Sequence, residues 1–121
     1  MKVIVINPYD QTITEQDSNN TFEDYYAKIG NGCDIIQPVK LNGRDKIYLD
    51  EEGLLKGNPA LFTLEGASQP FAGIGIVEGS KAKGVKLTLD EVKDMVYWVA
   101  NLGGMLMKVS YRDNEATKTL D

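Results

Sequence analysis

The sequence predicts an α+β fold: a mostly antiparallel sheet of about five to seven short strands with two helices, in the order β-β-α-β-β-(β)-β-α-β. Three observations lead to this prediction. Short β-branched or alternating apolar runs are separated by turn residues. Two other segments begin with a capping threonine and end at glycine. An Asn-Gly pair joins two alternating runs, which is typical of a β-hairpin.

The first third of the chain predicts a hairpin followed by a helix. The β-branched run Lys2–Ile6 and the alternating run Thr12–Glu15 are the two strands, joined by a turn containing Asn, Pro and Asp. The helix begins at Thr21, which can cap it, and ends at Gly30. Its apolar side chains recur at helical spacing on one face: Phe22, Tyr25, Tyr26 and Ile29.

The pair Asn42-Gly43 predicts a second hairpin with a two-residue type I′ turn. That turn would place Lys40 opposite Asp45, an attractive pair of charges. Pro38 cannot donate a ladder hydrogen bond, so its strand should lie at an edge or carry a bulge. The same register puts three apolar side chains on one face: Ile36, Ile47 and Leu49.

The second half of the chain predicts two more strands, a long helix and a last strand. The strands are the apolar run 60–64 and the glycine-containing run 71–79. The helix begins at a Thr88/Glu91 capping box and ends at Gly103-Gly104, and strand 105–111 follows. Residues 1–112 are thus expected to form a single domain, with 113–121 as a polar C-terminal tail.

Composition narrows the function classes. The chain has 121 residues, with 18 acidic against 13 basic side chains, a net charge of −5 and no histidine. This balance disfavours nucleic acid and membrane surfaces as partners, and the missing histidine removes the commonest general base and zinc ligand. No apolar run is long enough to cross a membrane, and Cys33 alone cannot form an internal disulfide. We therefore expect a cytoplasmic protein in which Cys33 is buried and structural.

The acidic run Asp50-Glu51-Glu52 is the most conspicuous candidate for chemistry. An EF-hand calcium loop counted from Asp50 fails, because its fifth and twelfth positions are leucines. Paired catalytic carboxylates are left open, as a minimal hydrolase. The favoured interpretation is a solvated turn in which Gly53 permits a bend and the leucines Leu54 and Leu55 enter the core.

A second alternative is a small-ligand or nucleotide-binding module that acts as a dimer. It would use the glycines of the run Gly73–Gly79 and the lysines of the loop Lys81–Lys86. The glycine spacing does not match a dinucleotide fingerprint or a P-loop, so sheet packing and a solvated loop are favoured for the two features. No catalytic, cofactor or metal residues are assigned.

Aromatic side chains favour a protein-binding role. Tyr97 and Trp98 lie beside the apolar stripe of the predicted second helix, and such residues are frequent interface anchors. The segment Met105–Met107 could add an adaptable surface, although a core strand is favoured. The expected partner-binding residues lie on the hairpin, the acidic turn and this helix: Arg44, Asp45, Asp50, Glu51, Glu52, Tyr97 and Trp98.

Five stretches of the sequence together resemble a family. They are "MKVIVINPYDQTITE", "YYAKIG", "DKIYLDEEGLLKGNPALFTLEG", "QPFAGIGIVEG" and "TLDEVKDMVYWV". They are similar to a group of small proteins of unknown function carried by bacteriophages, plasmids and conjugative elements, over about Met1 to Val99. The resemblance implies a non-enzymatic accessory protein without cofactors that binds a host protein, with inhibition of host defence as one form of that role. It brings no site residues. A homodimer is a further alternative.

Overall fold

The computed structural model describes residues 1–57 and 59–118. These residues form nine strands, three α-helices and one 3-10 turn at Gly53–Leu55. The strands are β1 (Lys2–Asn7), β2 (Thr12–Asp17), β3 (Ile36–Lys40), β4 (Lys46–Asp50), β5 (Leu61–Leu64), β6 (Phe71–Ala72), β7 (Gly75–Glu78), β8 (Val96–Leu102) and β9 (Met105–Ser110). The helices are α1 (Phe22–Ile29), α2 (Leu89–Met95) and α3 (Tyr111–Lys118).

The strands form two antiparallel sheets instead of one. Sheet A has the order β2-β1-β7-β4-β3, and sheet B has the order β6-β5-β8-β9. The α+β class is confirmed, whereas the predicted element order and the count of two helices differ from the structure. Pro38 lies in β3, which is an edge strand of sheet A as expected.

Sheet A is the middle of three layers. One of its faces carries a cluster that includes Val5, Tyr48 and Ile76, and this cluster packs against Tyr25 and Ile29 of α1. Its other face contributes a second cluster, shared with the inner face of sheet B: Ile4, Ile6, Ile47, Leu49, Val77, Phe62, Leu64, Val96 and Trp98. Burial on both faces explains why β1 and β7 are continuous apolar runs and do not alternate.

Helix α1 forms where its local signals predict it. The Thr21 hydroxyl accepts a hydrogen bond from the Asp24 amide at 3.2 Å. Gly30 ends the helix with a φ of 63°. Tyr25 and Ile29 are buried, but Phe22 at the helix start is 58% exposed, so the predicted apolar face is only partly covered.

The predicted long helix is wrong after its first two turns. The Thr88/Glu91 capping box is present with both hydrogen bonds, but α2 ends at Met95. Residues Val96–Leu102 form β8 and pair with β5 and β9. The four residues from Val96 to Val99 are all β-branched or aromatic, and they gain ladder bonds and core contacts as a strand. Gly103-Gly104 is therefore a hairpin turn and does not end a helix.

The hairpin at Asn42-Gly43 has a longer loop than predicted. Lys40 pairs with Lys46, not Asp45, so the register is shifted by one residue and Ile36 lies on the opposite face from Ile47. Neither Asn42 nor Gly43 has a positive φ, as a type I′ turn would require. The Asn42 side-chain oxygen instead accepts hydrogen bonds from the amides of Arg44 and Asp45, both at 2.8 Å. The resulting turn lies within the longer loop between Lys40 and Lys46.

Three further predictions differ from the structure. The run 71–79 is two strands, because Gly73 (φ 80°) redirects the chain from sheet B to sheet A. Leu54 and Leu55 do not enter the core, since they are 56% and 84% exposed in the 3-10 turn. Residues 113–118 of the predicted tail belong to α3, and residues 119–121 lie outside the described part of the chain.

Candidate interaction surface

The β8–β9 hairpin carries the largest group of exposed apolar side chains in the described chain. Its turn has two residues, Gly103 at φ 61° and Gly104 at φ 89°, which matches the type I′ geometry preferred in hairpins. The strands pair from Tyr97↔Ser110 to Leu102↔Met105. Glycine serves both turn positions without the steric cost that other residues incur at positive φ.

One face of this hairpin continues the face of sheet B that carries the core. Side chains alternate along a strand, so Trp98 shares its face with Leu102 of β8 and with three residues of β9. Strand β5 pairs only with Val96 to Val99, and beyond that point the hairpin extends past its neighbour. The exposed apolar side chains on this face of the hairpin form what we call the apolar stripe: Leu102 (61% exposed), Met105 (66%), Met107 (52%) and Val109 (41%).

The opposite face of the hairpin is more polar. Here Leu106 is 54% exposed, beside a cleft of about 220 Å³ formed with the loop 67–70. The Tyr97 hydroxyl donates to Glu65 Oε2 at 2.6 Å, and this carboxylate raises the pKa of Tyr97. The Lys108 ammonium lies 4.9 Å from the centre of the Tyr97 ring, a cation–π distance. These contacts hold Tyr97 in place at the end of the hairpin that is farthest from the turn.

The hairpin also differs from the rest of the chain in charge. The chain as a whole carries 18 acidic and 13 basic side chains. Between Val96 and Ser110, Lys108 is the single charged residue. Exposed apolar side chains with few charges are typical of the centre of protein–protein interfaces.

The structure separates the two predicted aromatic anchors. Trp98 is 3% exposed and packs in the core against Tyr111 of α3, with ring centres 6.0 Å apart. The prediction of an exposed Trp98 on a helix is therefore wrong, and this side chain is not accessible to a partner. Tyr97 lies on the other face of β8 and is half-buried, with its hydroxyl bound to Glu65.

Asp45 has a structural position that its sequence context did not reveal. It is 1% exposed, and its two carboxylate oxygens accept hydrogen bonds from the amides of Lys86 and Leu87, both at 2.8 Å. It thereby ties the β3–β4 loop to the segment that leads into α2. The neighbouring Arg44 is half-buried. Asp45 is thus not placed for contact with a partner.

The acidic turn is also divided. Asp50 is 8% exposed, and its carboxylate binds the Lys56 ammonium at 2.6 Å and the Glu52 amide at 2.9 Å. Glu51 and Glu52 are exposed. Gly53 is buried, and an added Cβ would lie 2.9 Å from the Ala72 carbonyl oxygen, so glycine is required at the bend. Asp50 is the last residue of β4 in sheet A, and Glu51 and Glu52 follow it, whereas Tyr97 and Trp98 lie in sheet B.

The glycines of β7 and the following turn are explained by packing. An added Cβ at Gly75 would lie 2.7 Å from Ile47 Cδ1 and 2.9 Å from Phe62 Cζ. At Gly79 it would meet the Gly84 carbonyl group, so protein atoms already fill the space beside both glycines. Cys33 is half-buried, and burial together with the nearby Asp50 carboxylate raises the pKa of its thiol, which disfavours the reactive thiolate.

The sequence favours a core strand for Met105 and Met107, with an adaptable surface as the alternative, and predicts a helix for Leu102. The structure exposes all three side chains. A hairpin signal is present in the sequence, because a β-branched and aromatic run at 96–99 and the alternating run 105–111 lie on either side of Gly103-Gly104.

No family model, curated protein or solved structure matches this chain. Among residues 1–57 and 59–118, no helix has the length and apolar character needed to span a membrane. In the same part of the chain, no group of three His, Cys, Asp or Glu side chains is arranged to hold a metal ion.

Proposed function

We propose that this protein acts by binding another protein through the β8–β9 hairpin. The observation that supports the proposal is the apolar stripe, which continues the core-facing side of sheet B and whose four side chains are 41–66% exposed among residues 1–57 and 59–118. Two of its four side chains are methionines, whose flexible thioether chains adapt to the shape of a partner. An exposed apolar patch of this kind is typical of an interaction site.

The proposed role is that of a non-enzymatic accessory protein of a phage or mobile element whose partner is a protein of the bacterial host. The family resemblance supports this setting, and a component of bacterial immunity is the partner class that it favours. The charge distribution supports a protein partner over nucleic acid, since the exposed hairpin carries one lysine within a chain of net charge −5.

Photo-crosslinking from the stripe tests the proposal. A photoreactive amino acid replaces Met105 in one variant and Lys81, an exposed loop residue, in a matched control. Both proteins are irradiated in bacterial cells, and the adducts are separated by mass and identified. We expect a discrete adduct with a host protein from position 105 and none from position 81. Irradiation that gives no host adduct at position 105, or the same adducts at both positions, would refute the proposal.

The two other hypotheses gain no specific support from the described residues. The carboxylate of Asp50 is already bound to Lys56 and to the Glu52 amide, and Glu51 and Glu52 lie exposed on the surface of the turn. The space beside Gly75 and Gly79 is occupied by the protein itself, which removes the reason for placing a ligand there.

A further inference from the structure

The two sheets have four edge strands, and three of them carry features that discourage pairing with another strand. An unprotected edge is a template for a further strand, and natural proteins block it with charges, proline or short length. Edge β2 carries Glu15 and Asp17, β3 contains Pro38, and β6 has two residues. Edge β9 has six residues, no proline and one charge, Lys108. It is the edge on which pairing is least opposed.

The hairpin geometry defines which backbone groups of β9 are free. In a hairpin closed by a two-residue turn, the residues that flank the turn are a hydrogen-bonded pair, and bonded pairs then alternate. Leu102↔Met105 is that first pair, so the amides and carbonyls of Met105, Met107 and Val109 point toward β8. Those of Leu106 and Lys108 point away from the sheet. These outward groups can pair with another strand without disturbing the hairpin.

We propose that β9 pairs with β9 of a second copy of this chain, antiparallel and centred on Met107. This register joins the outward backbone groups of Leu106 to those of Lys108 in the other copy, twice by symmetry. It also places Met107 opposite itself and Met105 opposite Val109. All five residues Met105–Val109 gain a cross-strand neighbour, and the two lysines are not directly opposed.

Charge favours a second copy as the occupant of this edge. Two molecules of net charge −5 repel each other, and they meet with least repulsion where neither carries acidic side chains. Val96 to Ser110 contain no acidic residue. In this register the segment Met105–Val109 pairs with the same segment of the second copy, which runs in the opposite direction. No two like charges lie directly opposite each other in that pairing.

The dimer would change the surface available to a partner. Residues directly opposite in antiparallel strands point to the same side of a sheet. The stripes of the two copies would thus join on one side of a continuous sheet that contains both four-stranded B sheets. The inference rests on the proposed function for the role of that joined surface, but dimerisation can fail while host-protein binding stands.

Two measurements test the pairing. Light scattering over a dilution series should give twice the chain mass of 13.4 kDa at high concentration. Leu106→Pro removes an outward amide while leaving the bonds to β8, and it should raise the dimer dissociation constant by about tenfold or more. Leu106→Thr, which retains the amide, is the matched control and should remain dimeric. Circular dichroism checks that both variants are folded.

Disulfide trapping tests the register even if Leu106→Pro fails to fold. Opposite residues of a non-bonded antiparallel pair have Cα atoms about 4.5 Å apart, within the range that a disulfide spans. In a Cys33→Ser background, Met107→Cys should form a disulfide dimer under mild oxidation, whereas Leu106→Cys should not.

The outcomes separate the two proposals. Monomeric protein at all concentrations, or trapping from Leu106→Cys in place of Met107→Cys, would overturn the pairing centred on Met107. The host adduct from position 105 is read independently in the photo-crosslinking experiment. A host adduct with no self-adduct and a monomeric mass would leave the binding function standing and remove the dimer.

Discussion

Replacement of Asp45 by alanine should cause a large loss of stability, although the residue lies in a loop at the end of a hairpin. Its carboxylate is 1% exposed and accepts from two backbone amides, those of Lys86 and Leu87, at 2.8 Å each. The Asn42 side-chain amide donates a third hydrogen bond at 3.1 Å. Asp45→Ala removes the acceptor for all three donors and leaves them without a protein partner.

The expected size follows from the number of donors and their environment. A hydrogen bond to a charged group contributes about 1.5–3 kcal/mol, and the two backbone amides are only partly buried, so water can replace part of the loss. We therefore expect Asp45→Ala to lower the free energy of unfolding by about 2–4 kcal/mol. Since small domains have about 5–15 kcal/mol in total, this is a substantial fraction.

Urea unfolding followed by circular dichroism measures this difference. Glu51→Ala is the matched control, because Glu51 is an exposed carboxylate six residues further along the chain, and its replacement should change stability by less than about 0.5 kcal/mol. Asp45→Asn retains one acceptor oxygen and should fall between the two. A loss below about 1 kcal/mol for Asp45→Ala would refute the reasoning that this carboxylate fixes the loop.

Three further predictions concern packing, the hairpin turn and pH. Gly75→Ala should lower stability by about 1–3 kcal/mol because its methyl group would overlap two core side chains, whereas Gly43→Ala, with open space around it, should change little in the same urea assay. Gly104→Ala should cost about 1–2 kcal/mol at its φ of 89°, and a stabilised variant would instead support the long-helix prediction. Burial and a neighbouring glutamate raise the pKa of Tyr25 above its usual 10.0. Its contribution to stability is thus complete below about pH 10 and lost as pH rises further, so the stability difference between wild type and Tyr25→Phe should shrink in that range.

The parts of the fold that sequence predicts well are those set by neighbouring residues. Helix α1 and the start of α2 depend on caps within a few residues, and both were placed correctly. The Asn42-Gly43 loop was predicted from its dipeptide alone. Its register depends on Asp45 reaching the amides of Lys86 and Leu87, which lie about forty residues along the chain, and no local pattern contains that contact.

The candidate surface was less predictable because amino-acid type does not report accessibility. The sequence indicates that Asp45 and Asp50 are accessible acids, but each is buried and bound to specific partners in the structure. Trp98 is predicted as an anchor because tryptophan is a frequent interface residue, and its large apolar ring makes it equally favourable in the core. The exposed Glu51 and Glu52 remain a prediction of partner contact.

The segment with the wrong secondary structure is also the segment that carries the candidate surface. Val96 and Trp98 lie in the core cluster that sheet B shares with sheet A. On the same face of the hairpin, Leu102, Met105 and Met107 are not members of that cluster and are more than half exposed. An apolar strand face requires cover, but its residues do not specify whether that cover comes from its own chain or from another. The position of a side chain relative to the layer that packs on sheet B, visible only in the folded chain, distinguishes the stripe from the core.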